Sequence, residues 1–178
     1  QTQTGHLYTD AGAVLNLNAS PGLTFALSNE GTTNVNVTSS VNNISSSGSS
    51  GVINIPAGVT FSTQYGTYFG TISGSGTLQK VGVATPLRIN SGIRTGGLIV
   101  TSGKVETGPN GATAGETVVR SLSIAPGAAL DLNDNDLVVQ YGTNPNAYTQ
   151  VRQWVFDGYS SVPDGSKSGI ISSTGQSA

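Results

Sequence analysis

The stretch DLNDND, residues 131 to 136, places five Asp and Asn side chains within six positions. Asp131, Asn133 and Asn135 have the i, i+2, i+4 spacing with which an EF-hand calcium loop begins. Such a loop would need glycine at its sixth position and glutamate at its twelfth, and the sequence has Asp136 and Gly142 there. The alternative is a turn whose Asp and Asn side chains bond to nearby backbone amides. We favour the turn and expect no metal or other cofactor. If the stretch did bind calcium, Asp131, Asn133 and Asn135 would be its ligands.

The same stretch is a weak candidate for sugar hydrolysis. Asp134 and Asp136 are two residues apart and would share one face of a strand. Hydrolysis needs two carboxylates that face each other across a sugar, and nothing in the sequence indicates such a cleft. Arg88, in LRIN, has no lysine two residues further on and no GHG motif accompanies it. We therefore expect no catalytic residues and no enzyme activity.

Histidine and cysteine chemistry is almost absent from the chain. His6 is the only histidine, there is no cysteine, and the motif GxSxG does not occur. A Ser-His-Asp triad and a zinc site both lack their parts. We interpret His6 as structural or simply exposed.

Aromatic side chains offer a different chemistry, the stacking of sugar rings. Tyr65, Tyr68 and Tyr141 are the candidates, in and beyond the cluster QYGTYFG. The alternative places Phe69 and Trp154 in the core and the tyrosines at its rim. Three triplets of the form Asn-x-Ser/Thr begin at Asn18, Asn36 and Asn43 and matter only where the source glycosylates such sites.

The composition excludes several classes of protein. The chain has 178 residues, 35% of them hydrophobic and 9% charged, with a net charge of −2. There is no basic patch of the kind that binds nucleic acid, and no segment resembles a membrane span or a signal peptide. These facts predict a folded extracellular or cell-surface protein whose signal peptide has been removed.

The elements that would hold any site are short strands. Runs such as AVLNLNA, TNVNVTSSV, GVINIPAGVTF and GGLIVTSGKVET alternate apolar and polar residues and end at Gly, Pro, Asn or Ser. An apolar residue precedes a glycine by three positions at Gly58, Gly92, Gly103 and Gly127, which indicates strand, tight corner, strand. The pattern predicts an all-β right-handed parallel β-helix or solenoid, with an antiparallel β-sandwich as the alternative.

One segment has helical rather than strand periodicity. In NAYTQVRQWVFDGY, residues 146 to 159, Val151, Trp154 and Val155 stand at i, i+3, i+4 and Gly158 follows. We predict a short amphipathic helix over 147–157 that covers the last coil. The predicted organisation is a solenoid body over 1–145 and a helix-containing cap or tail over 146–178. Residues 39–51, rich in serine, form either a mobile loop or a polar strand edge.

Residues 69–178 resemble a known family. GTISGSGTLQKVG, then GGLIVTSGKVETG, is similar to the autotransporter-associated β-strand repeat, and the C-terminal part is similar to the segment that follows such repeats in secreted proteins of planctomycete- and verrucomicrobium-type bacteria. The usual strand GTLTLSG is replaced by TPLRINSG. The resemblance implies a secreted or surface protein with a β-helical body, not an enzyme. The matching positions are Ile72, Gly74, Gly76, Leu78, Lys80, Leu87, Ile89, Gly96, Gly97, Leu98, Val100, Gly103 and Val105.

Three hypotheses of function follow, in order. The first is a structural or adhesive extracellular protein that assembles with copies of itself through open strand edges, into filaments or a surface layer. The second is a carbohydrate-binding module that recognises extracellular polysaccharide through its tyrosines. The third is a polysaccharide-degrading enzyme, which turnover of pectin or alginate would support. For the first, residues 1–9 would either add as a strand to a neighbouring copy or fray.

Overall fold

The computed structural model describes residues 5–109, 115–143, 145–160, 164 and 166–174. This part of the chain forms fifteen strands and one short helix. The elements are β1 (Gly5–Thr9), β2 (Val14–Leu17), β3 (Gly22–Asn29), β4 (Thr32–Val35), β5 (Ser39–Ser45), β6 (Val52–Asn54), β7 (Thr60–Tyr68), β8 (Thr71–Lys80), β9 (Leu87–Ile89), β10 (Ile93–Val100), β11 (Lys104–Thr107), β12 (Thr117–Ile124), β13 (Ala129–Asp131), β14 (Leu137–Val139), α1 (Tyr148–Gly158) and β15 (Gly169–Ile171).

The strands stack as a parallel β-solenoid, because every pairing between them is parallel. One row, face A, runs β1, β3, β5, β7, β9, β11, β13, β15. A second row, face B, runs β2, β4, β6, β8, β10, β12, β14. The predicted solenoid is confirmed, and the antiparallel sandwich is wrong.

A third row, face C, arises because the longer strands bend round a corner. In β7, Gly66–Tyr68 pairs with β9 on face A, while Thr60–Thr63 pairs with β8. Residues Gly97–Val100 of β10 and Ser121–Ile124 of β12 continue that row. Each coil therefore contributes one short segment to each of three sheets, and successive coils build the length of the solenoid.

The core is a set of aligned apolar rows inside the three sheets. On face A, the residues in register are Leu27, Ile44, Gly66, Leu87, Val105 and Leu130. Apart from Gly66 they are fully buried. Burial of such side chains stabilises the fold by about 1.5–3 kcal/mol each. Because successive side chains point to opposite faces of a sheet, every second residue of each short strand lies on the outer surface of the solenoid. Any binding surface must lie there.

The predicted corners are confirmed by the backbone. Gly58, Gly92, Gly103 and Gly127 have φ of 77°, 75°, 67° and 79°, the left-handed region that side chains other than glycine disfavour. At Gly127 the corner closes with a hydrogen bond of 3.0 Å from the Ala128 amide to the Ala125 carbonyl. This is an ordinary length for a backbone hydrogen bond. The spacing of apolar residue and glycine therefore marks the end of a strand.

Polar side chains on the outer faces stack in ladders. On face B, Asn34 Nδ2 donates to Asn16 Oδ1 at 3.0 Å, and Asn54 Nδ2 donates to Asn34 Oδ1 at 3.1 Å. Ser73 Oγ then donates to Asn54 Oδ1 at 3.3 Å. The amides satisfy one another coil by coil, so this surface is flat and internally bonded.

The predicted helix is present at Tyr148–Gly158, one residue later than expected at each end. Trp154 is buried and Val151 packs against the core, as predicted. The assignment of Val155 to the apolar face is wrong, because its side chain is 48% exposed. The helix packs on β15, which lies inside the predicted tail and pairs with β13, and the division at residue 145 stays a prediction.

The serine-rich segment is partly strand. β5 covers Ser39–Ser45 with the alternating burial of a sheet, so the polar-strand interpretation holds for these residues. Residues 22–29 and 169–171 are strands that the sequence patterns did not predict. Residues 5–9, the described part of the N-terminal segment, pair with β3 of their own chain.

Candidate functional site

The stretch DLNDND forms a turn between β13 and β14. Asp131 ends β13 and is 1% exposed. Its carboxylate accepts hydrogen bonds from the backbone amides of Asn133, at 3.2 Å, and Ser173, at 3.0 Å, and from the Ser173 hydroxyl. The carboxylate therefore ties this turn to the segment after β15.

The two asparagines of the stretch present donors, not oxygens, to the coil before them. Asn133 has φ of 52° and its Nδ2 donates to the Thr107 carbonyl. Asn135 Nδ2 donates to the carbonyls of Gly108, at 2.9 Å, and Leu132, at 3.0 Å. Among the described residues no group of three His, Cys, Asp or Glu side chains is placed to hold a metal ion. That the protein needs no metal stays a prediction.

Asp134 and Asp136 do not share a strand face. Both precede β14, which begins at Leu137, and both are exposed in the turn. The backbone carbonyl of Asp136 accepts from the Thr117 amide at 2.9 Å. The placement on one strand face that the spacing suggested is wrong, because both residues lie in the turn and β14 begins only at Leu137.

A row of charges that the sequence did not predict crosses three coils of face A. Arg88 Nε lies 2.5 Å from Glu106 Oε2, and Lys104 Nζ lies 3.6 Å from Glu106 Oε1 and 3.8 Å from Asp131 Oδ2. The Arg88 side chain is 60% exposed, whereas that of Asp131 is 2% exposed. Arg88, Glu106 and Asp131 of this row line a cleft of about 370 Å³. Only Arg88 offers a well-exposed charge there.

The three candidate stacking tyrosines lie apart. Tyr68 is fully buried, so it cannot stack on a ligand, while Phe69, expected in the core, is 41% exposed. Tyr65 is half-buried on face A, where its hydroxyl accepts from Asn42 Nδ2 at 3.3 Å. Tyr141 is 40% exposed at the C-terminal end of the solenoid. They form no common platform.

Burial gives Tyr68 an unusual titration. Asn29 Nδ2 donates to the Tyr68 hydroxyl oxygen at 2.7 Å and to the Val52 carbonyl at 3.1 Å. Desolvation raises the pKa of Tyr68 far above its ordinary value, the Asn29 bond opposes this, and the charge of Glu30 adds to it. The native state thus keeps the phenol protonated where the unfolded chain ionises it.

Replacement of Tyr68 by Phe should therefore change how stability depends on pH. At about pH 7 we expect a loss of about 1 kcal/mol, because one net hydrogen bond disappears. Above about pH 10 the unfolded wild type binds fewer protons than the native state, so its stability falls as pH rises. The difference between wild type and Y68F should shrink in that range. Urea unfolding across the alkaline range measures it, and a constant difference would contradict the account.

Burial shifts the pKa of Lys80 in the opposite direction, so its effect on stability lies below the pH range in which Tyr68 acts. It is fully buried, and its Nζ donates to the carbonyls of Val81, at 2.9 Å, and Gly82. Desolvation lowers the pKa of this amine, so the unfolded state binds more protons and stability rises with pH. Because Lys80 is present in both proteins, the comparison isolates Tyr68.

The outer side of face A forms a shallow trough. Tyr8, Ser28, Ser45, Thr67 and Arg88 are in register on five successive strands. Small hydroxyl side chains make its floor, between exposed Tyr8 at one end and Arg88 at the other. Two clefts of about 400 and 520 Å³ open along it and share the residues Ser45 and Ser46. We call this surface the face-A trough.

A second surface lies at the C-terminal end of face B. Leu137, Val139, Tyr141, Tyr148 and Val151 line a largely apolar cleft of about 340 Å³. In the described part of the chain, β14 pairs with β12 only, so its outer edge carries no strand. We call this surface the C-terminal edge. α1 lies at the same end, since Tyr148 and Val151 belong to it and it packs against β15 on face A.

The remaining candidate residues have ordinary surroundings. His6 stacks on Tyr8 with ring centroids 4.8 Å apart. Asn36 Nδ2 donates to Asn18 Oδ1 at 2.8 Å on an exposed surface. Asn43 is half-buried and lines the larger cleft of the face-A trough, and its Oδ1 has no hydrogen-bond partner among the residues described.

Comparison with known proteins gives one local similarity. Over 73 residues, 41% of this chain, the sequence is 41% identical to the adhesin BmaC autotransporter of Brucella suis biovar 1 (strain 1330). The chain spans 2% of the length of that protein. No family model matches the chain, and no solved structure matches it.

The similarity agrees with part of what the repeat motif implied. A β-solenoid fold and a local match to an autotransporter adhesin fit an autotransporter-type β-helix repeat in broad terms. Nothing in the comparisons supports a link to planctomycete- or verrucomicrobium-type bacteria. Within the described residues, no helix has the length and apolar character to cross a membrane.

Proposed function

We propose that this chain is a solenoid segment of an extracellular or cell-surface protein, with a structural or adhesive role and no enzymatic one. The fold supports this role because stacked coils present long polar faces on a rigid body. The local similarity to an autotransporter adhesin supports the location and the adhesive class. The observation that carries the proposal is the C-terminal edge, an uncharged strand edge beside exposed aromatic side chains.

The C-terminal edge suits a second copy of the same chain. β14 reads Leu-Val-Val, and β2, at the other end of face B, reads Val-Leu-Asn-Leu, so neither strand carries a charge. β2 pairs with β4 only among the described residues, and Val14 is 61% exposed. Strand edges without charged residues invite pairing through main-chain hydrogen bonds. In this proposal β14 of one copy pairs with β2 of the next.

A lysine on the outer side of β14 should weaken this association. Val138 is in register with Val118, next to the inward-facing Val119, so its side chain points away from the core. Val138→Lys should leave the fold intact and reduce self-association about tenfold, equivalent to about 1.4 kcal/mol, because lysine on an edge strand opposes the addition of another strand. Sedimentation velocity over a range of concentrations measures the change.

Val118→Lys is the matched control. It introduces the same residue in the same row, one coil further inside, on a strand that already has two neighbours. We expect it to associate as the wild type does. Equal association of V138K and wild type, or equal loss in V118K, would count against β14 as the contact.

The described part of the N-terminal segment is a strand of the solenoid itself. Residues 5–9 form β1, Leu7 packs against the core and the Thr9 hydroxyl lies 3.5 Å from that of Thr33. Removal of residues 1–9 would therefore expose β3 and disturb the first coil. Addition of this segment to a neighbouring copy stays a prediction, and a point change at the edge tests it better than the deletion.

A further inference from the structure

We propose that the larger cleft of the face-A trough binds a polysaccharide whose sugar units carry carboxylates, with Arg88 as the residue that recognises the acid. The inference gives a ligand class to the proposed adhesive role, and to that extent it rests on the proposed function. It does not depend on association between copies, since the C-terminal edge is on face B. Its residues are all in the described part of the chain.

The shape of the trough fits an extended chain of sugars. Four strand spacings separate Tyr8 from Arg88, which at about 4.8 Å each gives a surface about 19 Å long. The floor consists of Ser28, Ser45 and Thr67, whose side chains are too small to interrupt it. Asp10 and Glu30 line the smaller cleft at the Tyr8 end, and their carboxylates repel an anionic polymer. An acidic polymer therefore lies in the larger cleft, along Ser45, Thr67 and Arg88 on three coils.

The chemistry of the trough favours hydroxylated rings. Thr67 and Thr85 are exposed and, with Ser45 and Ser46, bring hydroxyl groups to the larger cleft. The Tyr65 ring stands in the same cleft, where an aromatic face can stack on a sugar. Asn43 Oδ1 has no partner among the described residues, and rotation of this amide would let it accept from a ligand hydroxyl.

Arg88 selects for acidic sugars. It is the only charged residue among those that line this cleft. Glu106 contacts its Nε, and its side chain is 60% exposed, so a ligand would meet the guanidinium edge formed by the two terminal nitrogens. A guanidinium edge of this kind binds a carboxylate through two parallel hydrogen bonds. The ligand expected here is a uronic acid polymer.

The test is binding of the full chain to an oligogalacturonate long enough to fill the larger cleft, beside a neutral galactan oligosaccharide of equal length. Isothermal titration calorimetry at low salt should show binding of the acidic sugar and much weaker binding of the neutral one. Arg88→Gln should weaken binding of the acidic sugar about tenfold or more, because a charge-assisted hydrogen-bonded pair is lost. Thr67→Tyr fills the floor of the trough without changing its charge, and it should also weaken binding of the acidic sugar.

Arg94→Gln is the control, because it removes the same charge from face B, where Arg94 is in register with Ser73 and Val118. We expect it to bind as the wild type does. No binding of oligogalacturonate, equal binding of the neutral sugar, or equal losses in R88Q and R94Q would each overturn the inference. R88Q should self-associate normally, so failure here and failure of the association model are separate results.

Discussion

Gly66→Ala should unfold the middle of the solenoid. Gly66 lies in the buried row of face A between Ile44 and Leu87, with φ of 146°. A Cβ atom built there would stand 1.9 Å from the Ile44 carbonyl oxygen, which belongs to the backbone of the adjacent coil. Neither coil can yield without breaking sheet hydrogen bonds. We expect a loss of at least about 3 kcal/mol, measured by urea unfolding.

Gly58→Ala is the control for backbone conformation alone. Gly58 has φ of 77°, and no atom lies within 4 Å of the position of its Cβ. This change should cost about 1–2 kcal/mol, the usual penalty for a left-handed residue with a side chain. If G66A were no less stable than G58A, the close approach of the two coils would be wrong.

Trp154→Ala should remove the cover from the last coil. Trp154 is 9% exposed and belongs to the same apolar core as Ile170 of β15. The backbone of α1 also contacts β15 closely, since a Cβ at Gly158 would stand 1.9 Å from the Ile170 carbonyl oxygen. Loss of the indole should cost about 3 kcal/mol or more and lower the melting temperature.

Phe156→Ala provides the comparison within the same helix. Phe156 is 56% exposed, and the Arg152 guanidinium carbon lies 4.5 Å from the centre of its ring. Such an exposed contact is worth at most about 1 kcal/mol. A loss in F156A as large as that in W154A would show that helix formation matters and that coverage of the core by Trp154 does not.

Features set by a few neighbouring residues were predictable from the sequence. Glycine at the corners follows from the positive φ that a sharp change of direction requires, and Gly58 and Gly127 have it. The helix followed from apolar residues at i and i+3, since Val151 and Trp154 face the core. The position of Val155 was not predicted correctly, because the surface of α1 that contacts β15 is narrower than the periodicity suggested and leaves Val155 exposed.

The direction of a side chain at a strand end was harder to predict. Consecutive side chains of a strand point to opposite faces, so one of Tyr68 and Phe69 must point inward. Alternation alone does not determine which of the two does. Register decides, since Tyr68 pairs with Ile89 in a buried row and Phe69 follows the end of β7. The same limit explains why Tyr68 was a candidate for sugar stacking.

Neighbours on different coils were beyond what the sequence pattern could supply. Most paired residues are 17 to 25 positions apart in the sequence. Ala26 and Asn43 are 17 positions apart, and Glu106 and Asp131 are 25 positions apart. With no fixed period, Arg88 could not be aligned with Glu106 and Thr67 in advance. The face-A trough and the charged row therefore appear only once the coils are stacked.

Electron microscopy of the purified chain at rising concentration tests the proposed association most directly. If β14 of one copy pairs with β2 of the next, particles should grow with concentration into chains of solenoids joined end to end. V138K should stay short under the same conditions. A clean monomer at the highest concentration, or objects that grow by lateral contact of faces, would contradict the account.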